Sequence, residues 1–161
     1  MPEYLKKNFF VCIFIIMIIF SLDRISKFYV ILKSETNLSS NLFTSKFLNI
    51  NLIWNEGIAF GLLSFDQKLY YDILTSFIIL ITLIIIFLMA KSKGFEKLSY
   101  AIIAGGSFGN IADRLYYSAV PDFIDIYINN FHWFIFNVAD IFITVGVILI
   151  ICSDLFRRKN V

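Results

Sequence analysis

Long apolar runs alternate with short polar stretches along the chain, and the lengths of the runs predict membrane-spanning helices. A helix needs about 20 mostly apolar residues to cross the hydrocarbon core of a bilayer. Four segments approach that length, and we expect helices at residues 9–32, 73–90, 98–117 and 133–152. The third segment is the weakest candidate because glycines and polar residues interrupt it.

The first apolar run also has features of a secretory signal peptide, since Lys6 and Lys7 precede it. A cleavable signal peptide would end in a site of small residues. This run instead continues into Leu22-Asp23-Arg24. We therefore expect it to be retained as a helix.

One loop between the predicted helices is long enough to have structure of its own. Residues 33–72 contain FLNINLIW at 47–54, which partly alternates apolar and polar side chains as a half-buried strand does. We therefore expect one membrane domain over residues 1–161. Its predicted fold is an all-α, four-transmembrane-helix bundle with a small extracytoplasmic β-sheet between helices one and two.

The composition agrees with a membrane protein. The chain is 59% hydrophobic with a mean hydropathy of +0.80, whereas a soluble domain is about 45–50% apolar. Cys12 and Cys152 lie inside apolar runs and are expected to be buried thiols, and His132 is the only histidine. The sequence therefore implies no metal centre and no cofactor, and the net charge of +2 does not suggest a nucleic-acid partner.

Lysine and arginine are distributed unevenly among the loops, which predicts an orientation. Cytoplasmic loops of membrane proteins carry an excess of both residue types. Such residues cluster before helix one, between helices two and three, and after helix four: Lys6, Lys7, Lys91, Lys93, Lys97, Arg157, Arg158 and Lys159. Both termini are therefore expected in the cytoplasm, and loops 33–72 and 117–132 on the outer side.

In this orientation, a set of polar residues lies at the same depth, in the outer half of the bilayer. These residues belong to helices one, three and four and to the loop before helix four. They are Asp23, Arg24, Lys27, Asn110, Asp113, Arg114, Asp122, Asp125, Asn137 and Asp140. Charged groups at membrane depth are costly and usually face a partner or a cavity. Their convergence indicates a site.

The residues alone leave the purpose of that site open. Structural ion pairs are one interpretation, since Asp23 and Lys27 are four residues apart and share a helix face. The carboxylates outnumber the cations, however, and two close carboxylates that share a proton can act as general base and general acid. A proton- or ion-coupled transporter and a structural membrane subunit are the rival classes.

Gly105 and Gly109 form a small-xxx-small spacing in the third predicted helix. Such spacing lets a neighbouring helix approach closely. We expect this close approach to lie beside Asn110. The alternative is that the glycines have no packing role, since glycine is common in membrane helices.

Five segments together resemble the lipoprotein signal peptidases (signal peptidase II), in order and spacing and over essentially the whole chain. They are DxxxK at 23–27, NEGIAFG at 55–61, GGSFGNIADR at 105–114, VPDFID at 120–125 and FNVAD at 136–140. The resemblance implies a multi-pass aspartic endopeptidase of the bacterial inner membrane. Such an enzyme cuts diacylglyceryl-modified prolipoproteins before the lipidated cysteine, near the outer face of the membrane.

The resemblance also implies roles for individual residues. Asp122 and Asp140 would be the catalytic pair. The supporting and substrate-binding set would be Asp23, Lys27, Asn55, Gly57, Gly109, Asn110, Asp113, Arg114, Asn137 and Ala139. Asp113 adjoins Arg114, which favours an ionised, structural role for it. Membrane lipid and the inhibitor globomycin are the further implied partners, and a monomer is expected.

Overall fold

The computed structural model describes residues 3–57, 67–128 and 131–158. These residues form four helices and four strands: α1 (Glu3–Asn37), β1 (Asn41–Thr44), β2 (Leu48–Asn55), α2 (Gln67–Lys91), α3 (Gly94–Tyr117), β3 (Val120–Ile128), β4 (Phe131–Phe136) and α4 (Val138–Arg158). Residues 58–61 of the predicted NEGIAFG segment lie outside the described residues.

A helix occupies each of the four predicted places, and three of the helices are long and apolar enough to cross a membrane. Those three segments are Phe9–Asn37, Lys68–Lys91 and Val138–Phe156. Large apolar side chains on their outer faces are exposed, including Phe14, Phe77 and Ile148. Such a surface suits contact with lipid rather than water.

The less apolar helix, α3, lies in the middle of the bundle and packs against the other three helices. Its glycines make this possible. A β-carbon added at Gly105 would lie 2.9 Å from Ile19 Cβ on α1, and one added at Gly106 would lie 2.6 Å from the Ala139 carbonyl oxygen on α4. The close helix approach predicted from Gly105 and Gly109 is therefore confirmed.

The strands form one antiparallel sheet in the order β1-β2-β3-β4. The prediction that the sheet lies between helices one and two was wrong in part, because β3 and β4 come from the connection between α3 and α4. Two aspartates, which are rare in strands, made residues 120–128 look like a loop. Pairing with β2, for example Ile53 with Asp122, overrides that local preference.

The predicted start of helix four at residue 133 was also wrong. Residues Phe131–Phe136 form β4, and α4 begins at Val138. An aromatic and β-branched run such as FHWFIF suits a strand or a buried helix equally well. This run forms a strand because it pairs with β3, Ile124 with Phe136 and Asp125 with Ile135.

Candidate active site

Two carboxylates and two cations form a closed cluster between α1 and α3. Lys27 Nζ lies 2.9 Å from Asp23 Oδ1 and 2.5 Å from Asp113 Oδ2. Arg24 reaches the other oxygens of the same two carboxylates, Asp113 Oδ1 at 2.5 Å and Asp23 Oδ2 at 2.6 Å. The side chains of Asp23 and Asp113 are fully buried, so each charge depends on its partners.

This geometry corrects one expectation about Asp113. Its ionic partners are Arg24 and Lys27 of α1, and not the adjacent Arg114. The reason is helical geometry, because neighbours in a helix point in different directions, whereas α1 faces Asp113 directly. Arg24 was absent from the predicted supporting set, although its place next to Asp23 at membrane depth was a usable signal.

The first turn of α4 connects this cluster to the sheet. Asn137 is the N-cap residue: its Oδ1 accepts a hydrogen bond of 3.2 Å from Asp140 N, and its own N donates one of 3.1 Å to Asp140 Oδ2. This is a reciprocal capping box. The Ala139 N–H in the same turn donates a 3.0 Å hydrogen bond to Asp23 Oδ1. The free amides of the helix N-terminus thus face carboxylates.

Asp122 lies on β3, and two side-chain amides hold its carboxylate. Asn137 Nδ2 donates to Asp122 Oδ1 over 2.6 Å, and Asn55 Nδ2, from the end of β2, donates to Oδ2 over 2.8 Å. The residue is only 4% exposed. Both oxygens therefore have fixed positions, which is what an oriented acid or base requires.

Asp140 is held by a different pair of donors. Asn110 Nδ2 donates a hydrogen bond of 2.8 Å to Asp140 Oδ1, and the Asn137 backbone N–H donates one to Asp140 Oδ2. Asn110 Oδ1 in turn accepts a 3.0 Å hydrogen bond from Lys27 Nζ. A continuous series of contacts thus runs from the buried ion pairs through Asn110 to Asp140.

Asp122 and Asp140 are both hydrogen-bonded to Asn137, so each carboxylate lies near the charge of the other. Burial raises the pKa of Asp122 above its usual range, and the charge of Asp140 raises it further. Hydrogen bonds from Asn55 and Asn137, together with the charge of Lys27, act in the opposite direction. A carboxyl group with a raised pKa beside a second carboxylate is suited to carry a shared proton.

Asn55 also shapes the turn that follows β2. Its Oδ1 accepts a 2.8 Å hydrogen bond from the Gly57 N–H, and Gly57 has a φ of +76°. A β-carbon at Gly57 would lie 2.7 Å from Leu74 Cδ2 and 3.3 Å from Arg114 Nη1. Glycine is therefore required there by both its backbone and its surroundings.

Arg114 lies apart from the ion-pair cluster. Its guanidinium carbon is 5.4 Å from the centre of the Tyr71 ring. Within the described ranges, its buried Nε and Nη1 atoms have no hydrogen-bond partner. The structure thus brings together the predicted residues of α1, α3, β2, β3 and α4, and places Arg114 beside Gly57 at the edge of the group.

Comparison with known proteins agrees with this geometry. The family model described as signal peptidase (SPase) II matches residues 15–156. The chain belongs to the signal peptidase II family. The resemblance seen in the five sequence segments is therefore confirmed.

Named relatives of this signal peptidase II chain cover most of its length. The lipoprotein signal peptidase of Pelagibacter ubique (strain HTCC1062) is 49% identical over 154 residues, which are 96% of this chain and 93% of that protein. That of Francisella tularensis subsp. mediasiatica (strain FSC147) is 41% identical over 126 residues, covering 76% and 78% of the two chains.

Solved structures share the fold of this signal peptidase II chain. A bacterial membrane enzyme determined by the in meso method at 1.9 Å resolution has a TM-score of 0.74 and 30% identity, with 90% of this chain and 92% of that chain covered. A second such structure, at 2.3 Å resolution, has a TM-score of 0.70 and 29% identity, covering 93% and 90%.

Proposed function

We propose that this chain removes the signal peptide from diacylglyceryl-modified prolipoproteins, with Asp122 and Asp140 as its catalytic pair. Family membership and relatives named lipoprotein signal peptidase support the activity. The observation that supports the pair is the position of Asn137, whose side chain holds Asp122 and whose backbone holds Asp140. The family assignment gives no support to the transporter interpretation.

The proposed reaction is hydrolysis of one peptide bond. The ionised member of the pair takes a proton from water as the water oxygen bonds to the scissile carbonyl carbon. The protonated member donates its proton to the carbonyl oxygen. The tetrahedral intermediate then collapses, and a proton passes to the leaving nitrogen as the C–N bond breaks. The products are a signal peptide with a new carboxyl terminus and a lipidated cysteine with a free amino group.

The buried ion pairs would serve this chemistry indirectly. Lys27 donates a hydrogen bond to Asn110, and Asn110 donates one to Asp140. The cluster therefore fixes one carboxylate of the proposed pair through a single side chain. Asp23 fixes the first turn of α4 through the Ala139 N–H. Preorganisation of this kind places catalytic groups before the substrate arrives.

The membrane arrangement that fits this function has four spans in one domain, with α3 crossing the bilayer inside the bundle. Both termini would face the cytoplasm of a bacterium, and the sheet with the catalytic pair would lie at the outer face of the inner membrane. The basic residues of the termini and of the connection between α2 and α3 support this orientation. A monomer would suffice, with globomycin and membrane lipid as further ligands.

Cleavage of a diacylglyceryl-modified prolipoprotein by the purified chain in detergent tests the proposal. Asp122→Asn and Asp140→Asn should each abolish product formation while the protein still accumulates in the membrane. Asp125→Asn is the matched control, because Asp125 lies on the same strand, is equally buried and contacts Asn49 instead. Normal cleavage by either catalytic variant would refute the assignment of the pair.

A further inference from the structure

A narrow groove lies between β4 and α4 and ends at one of the two catalytic carboxylates. It has a volume of about 250 Å³ and is lined by Phe134, Phe136, Asp140, Ile141, Thr144 and Val145. Among the residues that the structure describes, Asp140 is the one charged residue of this lining. We propose that this groove binds an acyl chain of the substrate's diacylglyceryl group, an inference that rests on the proposed function.

The position of the groove matches the chemistry of the substrate. The lipid is attached to the sulfur of the cysteine whose nitrogen leaves in the reaction, so its first atoms lie only a few bonds from the scissile carbonyl. A lipid-binding surface must therefore begin beside the catalytic pair. The groove does so, since Asp140 forms its polar end and Asp140 is the less buried of the two aspartates.

The groove also opens onto an exposed apolar surface. Phe134 is 64% exposed, and Ile141 and Val145 on α4 are exposed on the same side. These two residues are four apart and form a stripe along a helix that is long and apolar enough to span the membrane. An acyl chain can therefore enter from the hydrocarbon layer without passing through water.

The lining of the groove favours an acyl chain. Its lining residues other than Asp140 and Thr144 are apolar. Burial of a flexible hydrocarbon chain against such aromatic and branched side chains is favourable.

The test uses synthetic prolipopeptides whose diacylglyceryl groups carry either palmitoyl or acetyl chains. Val145→Trp should fill the groove and lower kcat/KM for the palmitoyl substrate by roughly tenfold, the effect of losing about two buried methylene groups. The loss should appear in KM, and the acetyl substrate, whose chains are too short to reach Val145, should be cleaved nearly as well as by the wild type. Thr144→Trp, on the same wall, should give the same selective loss.

Val147→Trp is the matched control. Val147 is 42% exposed on the same helix, compared with 41% for Val145, but it does not line the groove. It should leave the cleavage of both substrates unaffected. Near-wild-type cleavage of the acetyl substrate by the groove variants would show that they are folded.

Two outcomes would overturn the proposal. If Val145→Trp and Thr144→Trp slow both substrates equally, the groove holds the signal peptide or only supports the fold. If neither variant affects either substrate, the groove is not used. Failure of the wild type to cut any of these peptides would instead refute the proposed function itself.

Discussion

The side-chain amide of Asn137 donates a 2.6 Å hydrogen bond to Asp122, while its carbonyl oxygen caps the helix that carries Asp140. One residue thereby orients a strand carboxylate and a helix carboxylate at the same time. The geometry of the proposed catalytic pair therefore depends on the N-terminus of α4 as much as on the two aspartates.

The two functions of Asn137 can be separated by mutation. Asn137→Ser keeps a good N-cap but lacks the amide that reaches Asp122, whereas Asn137→Ala loses both. We expect both variants to lose activity by about a hundredfold, since an oriented acid or base contributes about that much. Both variants should lose stability because a buried oxygen of Asp122 loses its donor, and the alanine variant should lose about 1 kcal/mol more because it also lacks the cap. Cleavage rates and thermal unfolding in detergent measure the two effects, and an active serine variant would contradict this role.

The pH dependence of cleavage should respond to Asn55. Its amide hydrogen bond favours the ionised form of Asp122 and thereby opposes the rise in pKa caused by burial. Asn55→Ala removes that effect, so the pKa of Asp122 should rise further. At least one limb of the kcat/KM–pH profile should move to higher pH, because the two coupled aspartates titrate as a pair.

Asn51→Ala is the control for this shift. Asn51 lies on the same strand, and its Oδ1 has no hydrogen-bond partner among the residues described. Its substitution should leave both limbs of the profile in place. A shift to lower pH in Asn55→Ala would show that the amide does not stabilise the ionised carboxylate.

Burial of Asp122 also links pH to stability. Because its pKa is raised in the folded protein, the folded state binds this proton more tightly than the unfolded state does. The stabilisation from this proton is complete at a pH below the pKa of Asp122 in the unfolded chain. It is lost as the pH rises through the pKa of Asp122 in the folded protein. Asp122→Asn should remove this part of the pH dependence, as measured by thermal unfolding from acid to neutral pH. An unchanged pH dependence in the variant would argue against a raised pKa.

The buried ion-pair cluster should be essential for folding. Lys27→Met retains an apolar stem but leaves Asp23 and Asp113 with one cation instead of two. Removal of one partner from a buried pair costs about 3–5 kcal/mol. The double variant Asp23→Asn/Lys27→Met should recover part of that loss, and a double-mutant cycle on thermal stability quantifies it. Additive effects would show that the two residues are not coupled.

Gly109 allows α1 to approach the site. A β-carbon there would lie 2.5 Å from Asp23 Oδ2, so Gly109→Ala must displace the carboxylate that accepts the Ala139 N–H. We expect a loss of about 1–3 kcal/mol in stability together with reduced activity. Gly94→Asn is the control, because nothing lies within 4 Å of that position and asparagine tolerates its φ of +56°.

The sequence by itself indicated the family of this protein and the approximate position of each helix. Apolar runs of bilayer length are a local property, so the places of α1, α2 and α4 could be read directly. The i,i+4 spacing of Asp23 and Lys27 predicted their contact, and the Gly105–Gly109 spacing predicted close packing, because helical geometry fixes both. The five segments identified the family and nominated Asp122 and Asp140.

Tertiary structure alone decided the partners that come from different elements of the fold. Strands β3 and β4 were missed because Asp122 and Asp125 oppose strand formation locally, and pairing with β2 overrides this. Asp113 pairs with Arg24 and Lys27, and not with its neighbour Arg114, since α1 packs against that face of α3. Asn137 lies between the two carboxylates because β4 ends just before it and α4 begins just after it. The end of β4 is set by its pairing with β3, which the local sequence does not reveal.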